Sequence, residues 1–147
     1  IQDVTSQWGV FAIAGPKSRD VLKEVINDAD PETALSNKRF PWLSARSIEL
    51  GMCPVQAIRV AYTGELGWEL HHPIEMQAYL FDQLMAGLDK GGLCVFSFND
   101  HALEDPANEA RVSEWTDCGA ARLLFREHGD HIPGINLKSN VYVIEKN

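Results

Sequence analysis

Two carboxylates, Glu65 and Glu69, stand in a nine-residue stretch with two glycines and two aromatic rings, Tyr62-Thr63-Gly64-Glu65-Leu66-Gly67-Trp68-Glu69-Leu70. A strand that only fills a core uses more β-branched residues and fewer acids. A turn that presents a carboxylate to a ligand needs glycine for backbone freedom and aromatic rings as walls. Glu69 lies between Trp68 and Leu70, where a carboxylate is costly to bury unless something donates hydrogen bonds to it. A planar ligand with two adjacent N–H groups, such as the amino-pyrimidinone edge of a pterin or guanine, meets a carboxylate bidentately, as arginine does. Arg59, another internal base or plain water would serve Glu69 as well, and spacing alone leaves these alternatives open. Tyr62 can stack on a bound ring or hydrogen-bond to it, or stand half-buried with its hydroxyl in water. Trp68 reads as core, and Glu65 as a solvated acid of the turn.

Other chemistries lack their residue sets. His71 and His72 are adjacent, so on a strand they point to opposite faces, and no third residue has the spacing of a metal ligand. There is no Gly-x-Ser-x-Gly elbow and no Gly-rich phosphate loop, and Cys53 has no base beside it. The three cysteines, Cys53, Cys94 and Cys118, are too sparse for a disulfide framework or a zinc ribbon, which points to a reducing compartment. The formal net charge is −8. Without a Lys/Arg-rich run, the chain lacks the basic field that attracts nucleic acid or an anionic membrane. No apolar run approaches the roughly 20 residues of a membrane span.

The elements that would position Glu69 follow from composition and period. Arg46 to Leu50 and Val55 to Tyr62 have the β-rich character of two strands joined around Gly51. After the Thr63-Gly64-Glu65 turn, Gly67 to His71 makes another. Alternation puts Trp68 and Leu70 on one face of that strand and Glu69 and His71 on the other. In the strand before it, Gln56, Ile58, Val60 and Tyr62 share one face, and Val55, Ala57, Arg59 and Ala61 the opposite one. Trp8 to Ala14 reads as a buried strand stopped by Gly15-Pro16. Pro16 then takes the first position of an amphipathic helix carrying Val21, Leu22, Val25 and Ile26.

Asn27 to Lys38 is a polar connection with room for one helical turn, and Phe40-Pro41-Trp42-Leu43 is an apolar loop. Ile74 to Leu88 predicts a second amphipathic helix, with Met76, Tyr79, Leu80, Leu84 and Leu88 at core spacing. Beyond Gly91-Gly92 the periodicity fades, and Val141-Tyr142-Val143-Ile144 alone reads as a clear strand. The chain has 147 residues, 45% of them apolar and 23% charged, which is the balance of one globular domain. The pattern predicts an α+β fold, an antiparallel or mixed sheet with amphipathic helices on one face. The start, Ile1-Gln2-Asp3-Val4, lacks an initiating methionine and a basic n-region, so the chain is expected to be part of a longer protein.

Three segments carry a family resemblance: Ala12-Ile13-Ala14-Gly15-Pro16-Lys17-Ser18-Arg19, Asn37-Lys38-Arg39-Phe40-Pro41-Trp42, and Ile58 through Leu70. They resemble the folate-binding aminomethyltransferase-type domain of the glycine-cleavage T-protein and of the C-terminal half of dimethylglycine and sarcosine dehydrogenases. The form Glu-Leu-Gly-Trp-Glu-Leu is closer to the dehydrogenase branch, and the resemblance runs from about Trp8 to Leu93. It implies a tetrahydrofolate site lined by Tyr62, Glu69, Leu70 and His71, with Glu69 on the pterin edge. Relatives often carry tyrosine where His71 stands.

It also implies a parent protein whose upstream FAD domain, the partner of this one, oxidises an N-methyl amine to an iminium. Tetrahydrofolate then accepts the one-carbon unit as methylene-tetrahydrofolate, in a bacterial cytoplasm or the mitochondrial matrix. The aspartate that assists this step in relatives would lie upstream of Ile1, so no catalytic residue is assigned and the fragment alone is not expected to turn over. Lys38, Arg39 and Arg46 are candidates to balance folate's anionic tail. The alternatives are a fragment of a glycine-cleavage-type aminomethyltransferase, and a non-catalytic module that kept the fold and lost the ligand.

After Leu103 the family expects an amphipathic helix of the form Leu-x-Ser-Leu-Arg-Leu-Glu-Lys-x-Tyr-Arg. This chain instead has Glu104-Asp105-Pro106-Ala107-Asn108-Glu109-Ala110-Arg111-Val112-Ser113. A one-base shift of the codons from Leu103 to Ser113 permits a sequence close to the missing helix. Residues 1–103 are therefore expected to be a partial folate-binding domain, and 104–147 a divergent, frameshifted tail that is irregular and poorly packed.

Overall fold

The computed structural model describes residues 7–61, 64–99, 103–104, 106–130 and 138–147. Tyr62 and Thr63 lie outside the described residues. The chain forms two compact units, Ile1–Gly87 and Leu88–Asn147. The division between them along the chain falls ahead of the position near Leu103 where the family resemblance puts the change.

In the first unit β1 (Trp8–Ala14) leads to α1 (Ser18–Val25) and the single turn α2 (Pro31–Ala34). Strands β2 (Ala45–Leu50), β3 (Cys53–Ile58) and β4 (Gly67–Pro73) follow, then a 3-10 turn at Ile74–Met76 and α3 (Gln77–Gly87). The sheet order is β1-β4-β3-β2, with every neighbour antiparallel. β2 and β3 are joined by a two-residue turn, and its first residue, Gly51, has φ +57°, a conformation that side chains with a Cβ resist. α2 starts at Asp30, whose Oδ1 accepts the Thr33 N–H at 3.1 Å, the expected single helical turn of the polar connection.

One face of this sheet makes the core. Leu50, Cys53, Val55, Ala57, Trp68 and Leu70 from the strands meet Leu22, Leu35, Phe40 and Leu80 from the helices and the loop. α1 turns Val21 and Leu22 inward, and α3 turns Leu80, Phe81 and Met85 inward. Leu88 falls beyond the end of α3, so the buried stripe runs through Phe81 and Met85 rather than through the last predicted position. α1 begins at Ser18, two residues after Pro16. The intervening turn is used to tie strands together: Gly15 N–H donates to Leu66 O at 2.8 Å, and Ser18 Oγ donates to Gly15 O at 2.7 Å. β3 ends at Ile58 rather than Tyr62, because Arg59 turns to pair with Ser44 and Leu43.

In the second unit β5 (Leu93–Asn99), α4 (Pro106–Asp117), β6 (Ala121–Asp130) and β7 (Lys138–Lys146) follow one another, and the sheet order is β5-β7-β6, again antiparallel. The expected irregular tail is thus regular in its backbone. Its packing is sparse: α4 buries Val112, and in β6 Arg122 through Gly129 are exposed. The chain is α+β, and each strand pairing among the described residues is antiparallel.

Candidate functional site

β4 sets the site by alternation. Trp68, Leu70 and His72 face the core, while Glu69 and His71 stand on the open face. Register places Ile58 of β3 and Ala12 of β1 beside Glu69, and Gln56 and Val10 beside His71. His71 Nε2 and Glu69 Oε2 lie 3.1 Å apart, with the side chains 31% and 26% exposed. Gln56 Nε2 donates to Ser47 Oγ at 2.6 Å, continuing a polar row across β3 and β2. Trp8 and Val10, both exposed, extend the apolar border along β1.

This arrangement leaves Glu69 with one oxygen held by His71 and the other, Oε1, without a hydrogen-bond partner among the described residues. A carboxylate so oriented can accept paired N–H donors, and the small Ala12 and apolar Ile58 leave room for a planar ring. Gly67 fixes where β4 begins. A Cβ there would stand 3.0 Å from Ile13 O and 3.1 Å from the Ala61 Cβ, so the backbones could not approach as they do. Glu69 is then two residues along, at a defined point of the sheet.

The predicted site residues are therefore divided. Glu69 and His71 come together, and Tyr62 lies outside the described residues. Leu70 is fully buried in the core, and its carbonyl faces His72 Nδ1 at 3.0 Å. Its contribution to a ligand can come from the main chain alone. Arg59 does not pair with Glu69, because its guanidinium carbon lies 5.7 Å from the centre of the Trp68 ring, on the core side of the sheet. Arg46 is likewise over Phe40 at 5.9 Å and donates to Arg39 O, so it does not share the Glu69 face.

His72 is a residue that sequence reasoning missed. It is fully buried and stacked on Phe11 at 4.9 Å, and burial is the main force holding its imidazole below the usual histidine range. Alternation already puts it on the face opposite His71, with Trp68 and Leu70, but ending the strand at His71 gave no reason to expect its burial. Burial raises the Cys53 thiol and pushes Cys94 up to about 12, so neither is a ready thiolate. A cavity of about 410 Å³ over β2 and β3 is lined by residues including Trp8, Arg46, Ser47, Gln56 and Pro73. It borders the Glu69–His71 pair through Gln56 without including either residue. Among the described residues no cluster of three or more His, Cys, Asp or Glu could hold a metal ion, and no helix is long and apolar enough to cross a membrane.

A sheet with helices on one face and a carboxylate–imidazole pair on the other defines a small α+β domain with an open polar face. The GCVT N-terminal domain family matches residues 1–99, and the chain belongs to that family. It is 37% identical over 116 residues to the mitochondrial dimethylglycine dehydrogenase of Mus musculus, a match covering 78% of this chain and 12% of that protein. Against the mitochondrial sarcosine dehydrogenase of Mus musculus it is 38% identical over 93 residues, 63% of this chain and 10% of that protein. The aminomethyltransferase of Mycobacterium avium (strain 104) is 29% identical over 92 residues, 63% of this chain and 23% of that protein. The chain thus spans about an eighth of the length of the dimethylglycine dehydrogenases it matches.

Proposed function

We propose that this chain is the tetrahydrofolate-binding portion of a flavin-linked dehydrogenase of the dimethylglycine and sarcosine type, which accepts one-carbon units from N-methyl amine oxidation. The observation that carries the reading is the partly exposed Glu69 carboxylate on the open face of β4, held on one side by His71 and paired with no arginine among the described residues. Glu69 takes the amino-pyrimidinone edge of the pterin, and His71 fixes the carboxylate's orientation. Ala12 and Ile58 flank the ring, Leu70 keeps Glu69 and His71 in register through its main chain, and Tyr62 is assigned to stack on the ring. When bound, tetrahydrofolate supplies N5 as the acceptor of the one-carbon unit. FAD belongs to another domain of the parent protein, in a mitochondrial matrix or a bacterial cytoplasm. The higher identity to the dehydrogenases than to the aminomethyltransferases favours this parent over a glycine-cleavage one.

Titration calorimetry with tetrahydrofolate, on the whole chain and on Glu69→Ala, tests the site. Saturable heat from the wild type and affinity at least about tenfold weaker in the variant are expected, since a charge-assisted bidentate contact is lost. Equal affinities overturn the assignment of Glu69, and no heat from either protein favours the module that lost its ligand. The same reading takes residues 104–147 as a frameshifted tail. The family model matches only as far as residue 99, whereas the dimethylglycine dehydrogenase match covers 78% of this chain and so runs past residue 104. Sequencing the coding nucleic acid tests the frameshift, and codons incompatible with the shifted helix exclude it.

A further inference from the structure

Among the described residues, four buried side-chain polar atoms have no hydrogen-bond partner, and three of them belong to one cluster: Arg19 Nε, Arg59 Nε and Trp68 Nε1. The guanidinium carbons of Arg19 and Arg59 lie 5.8 and 5.7 Å from the centre of the Trp68 ring. All three atoms are N–H donors that cannot act as acceptors, so no rotation or tautomer satisfies them from within the cluster. Donors left buried in this way are destabilising, and native structures rarely keep several side by side.

Charge makes the same point. Among the described residues no Asp or Glu pairs with Arg19, Arg46 or Arg59, and they donate instead to neutral oxygens, Asn37 Oδ1, Arg39 O and Phe40 O. Arg46 stands over Phe40, whose ring meets Trp68 edge-on at 6.3 Å, which brings a third cation to the same aromatic pair. Burial and the nearby Arg19 charge both work against the Arg59 cation. In a chain with a net charge of −8, partly buried arginines converging without an acid form a local site to which an external counter-charge is drawn.

We infer that Arg19, Arg59 and Trp68 form a binding site for a small oxyanion, a phosphate group or a dicarboxylate, on the core side of the sheet. An oxyanion supplies planar acceptors to the guanidinium edges and a third acceptor position to the indole N–H, and it offsets the two adjacent cations. The site is separate from the Glu69 face, because Trp68 and Glu69 point to opposite sides of β4. It is therefore independent of the folate reading.

The test is the thermal midpoint of the whole chain, measured with inorganic phosphate, with succinate, and with sodium chloride at matched ionic strength. A saturable rise of about 5 °C at ten times the dissociation constant is expected for phosphate or for succinate over the chloride control. The anion that saturates at lower concentration identifies the source of the oxyanion. Arg19→Gln should reduce the rise to that of chloride. Trp68→Phe, which keeps a ring and removes the N–H, should weaken binding several-fold and serves where the arginine variant does not fold. No rise above chloride for either anion, or an unchanged rise in the folded variants, overturns the site. Glu69→Ala should keep the full response whatever it does to tetrahydrofolate, so this inference and the folate reading fail separately.

Discussion

β4 and β6 are both laddered along their length to a neighbour, yet they differ in what lies on them. β4 buries Trp68, Leu70 and His72, whereas β6 leaves Leu123, Leu124 and Phe125 exposed by 44, 45 and 46%. The register aligns Val95, Val143 and Phe125 in one row across the second sheet, and Val95 is exposed as well. The helices explain much of the contrast. α1 and α3 each present a run of apolar side chains to the first sheet, while α4, Pro-Ala-Asn-Glu-Ala-Arg-Val-Ser-Glu-Trp-Thr-Asp, buries Val112. Backbone hydrogen bonds replace those made to water and give little net stability, so a ladder alone does not make a core. Tyr142 and Ile144 are the strongly buried apolar residues of β7, and the second unit has far less apolar burial to hold it.

The sharpest way to break this contrast is to cut equal pieces from both units. Leu22→Ala, at a fully buried position, should cost about 2–5 kcal/mol in urea unfolding followed by circular dichroism. Leu123→Ala, at a position 44% exposed, should stay within about 0.5 kcal/mol. Comparable losses would show that the second unit is packed as firmly as the first. Next in size is Gly67→Ala, expected to cost about 1–3 kcal/mol, because the Cβ meets the backbone atoms Ile13 O and Val60 O at 3.0 and 3.2 Å rather than a flexible side chain. A neutral Gly67→Ala would mean that β4 can shift at its start, and Glu69 would lose its fixed position.

What the residues disclose in advance follows the same division. The faces of β4 were legible because Trp68 and Leu70 alternate with Glu69 and His71, and the helix after Pro73 because its apolar residues recur at helical spacing. The shortening of β3 was not legible, since Arg59, Val60 and Ala61 suit a strand and only the tertiary pairing of Arg59 with Ser44 ends it. The arginine cluster was hidden for a related reason: Arg19, Arg46 and Arg59 are far apart in sequence and meet only through Phe40 and Trp68. In the second unit the strand at Val141 to Ile144 could be read from its own residues, whereas β6 and α4 lack a buried face from which a period could be recognised.

His72 adds a pH dependence to the first unit. Its imidazole is held below its ordinary value of 6.5, chiefly by burial. Between the lowered folded value and 6.5 the unfolded chain binds a proton that the folded chain does not. Stability should therefore rise with pH through that window, fall as pH drops below 6.5, and be flat above it as far as this residue is concerned. Unfolding curves at several pH values between 7 and 5 should show a shallower slope for His72→Phe than for the wild type. Identical slopes would place the acid sensitivity elsewhere.

The smallest effect separates a residue used for binding from one used for packing. The Glu69–His71 contact is half-exposed on an open face, and such pairs contribute about 0–1 kcal/mol to folding. A double-mutant cycle with Glu69→Gln and His71→Gln should return a coupling below about 1 kcal/mol in unfolding. A coupling of several kcal/mol would make the pair an internal support of β4, and the carboxylate would then have a structural reason to be there. A small coupling leaves Glu69 without one. A half-buried acid flanked by Ala12 and Ile58, contributing little to the fold that carries it, is what a site kept for an external donor requires.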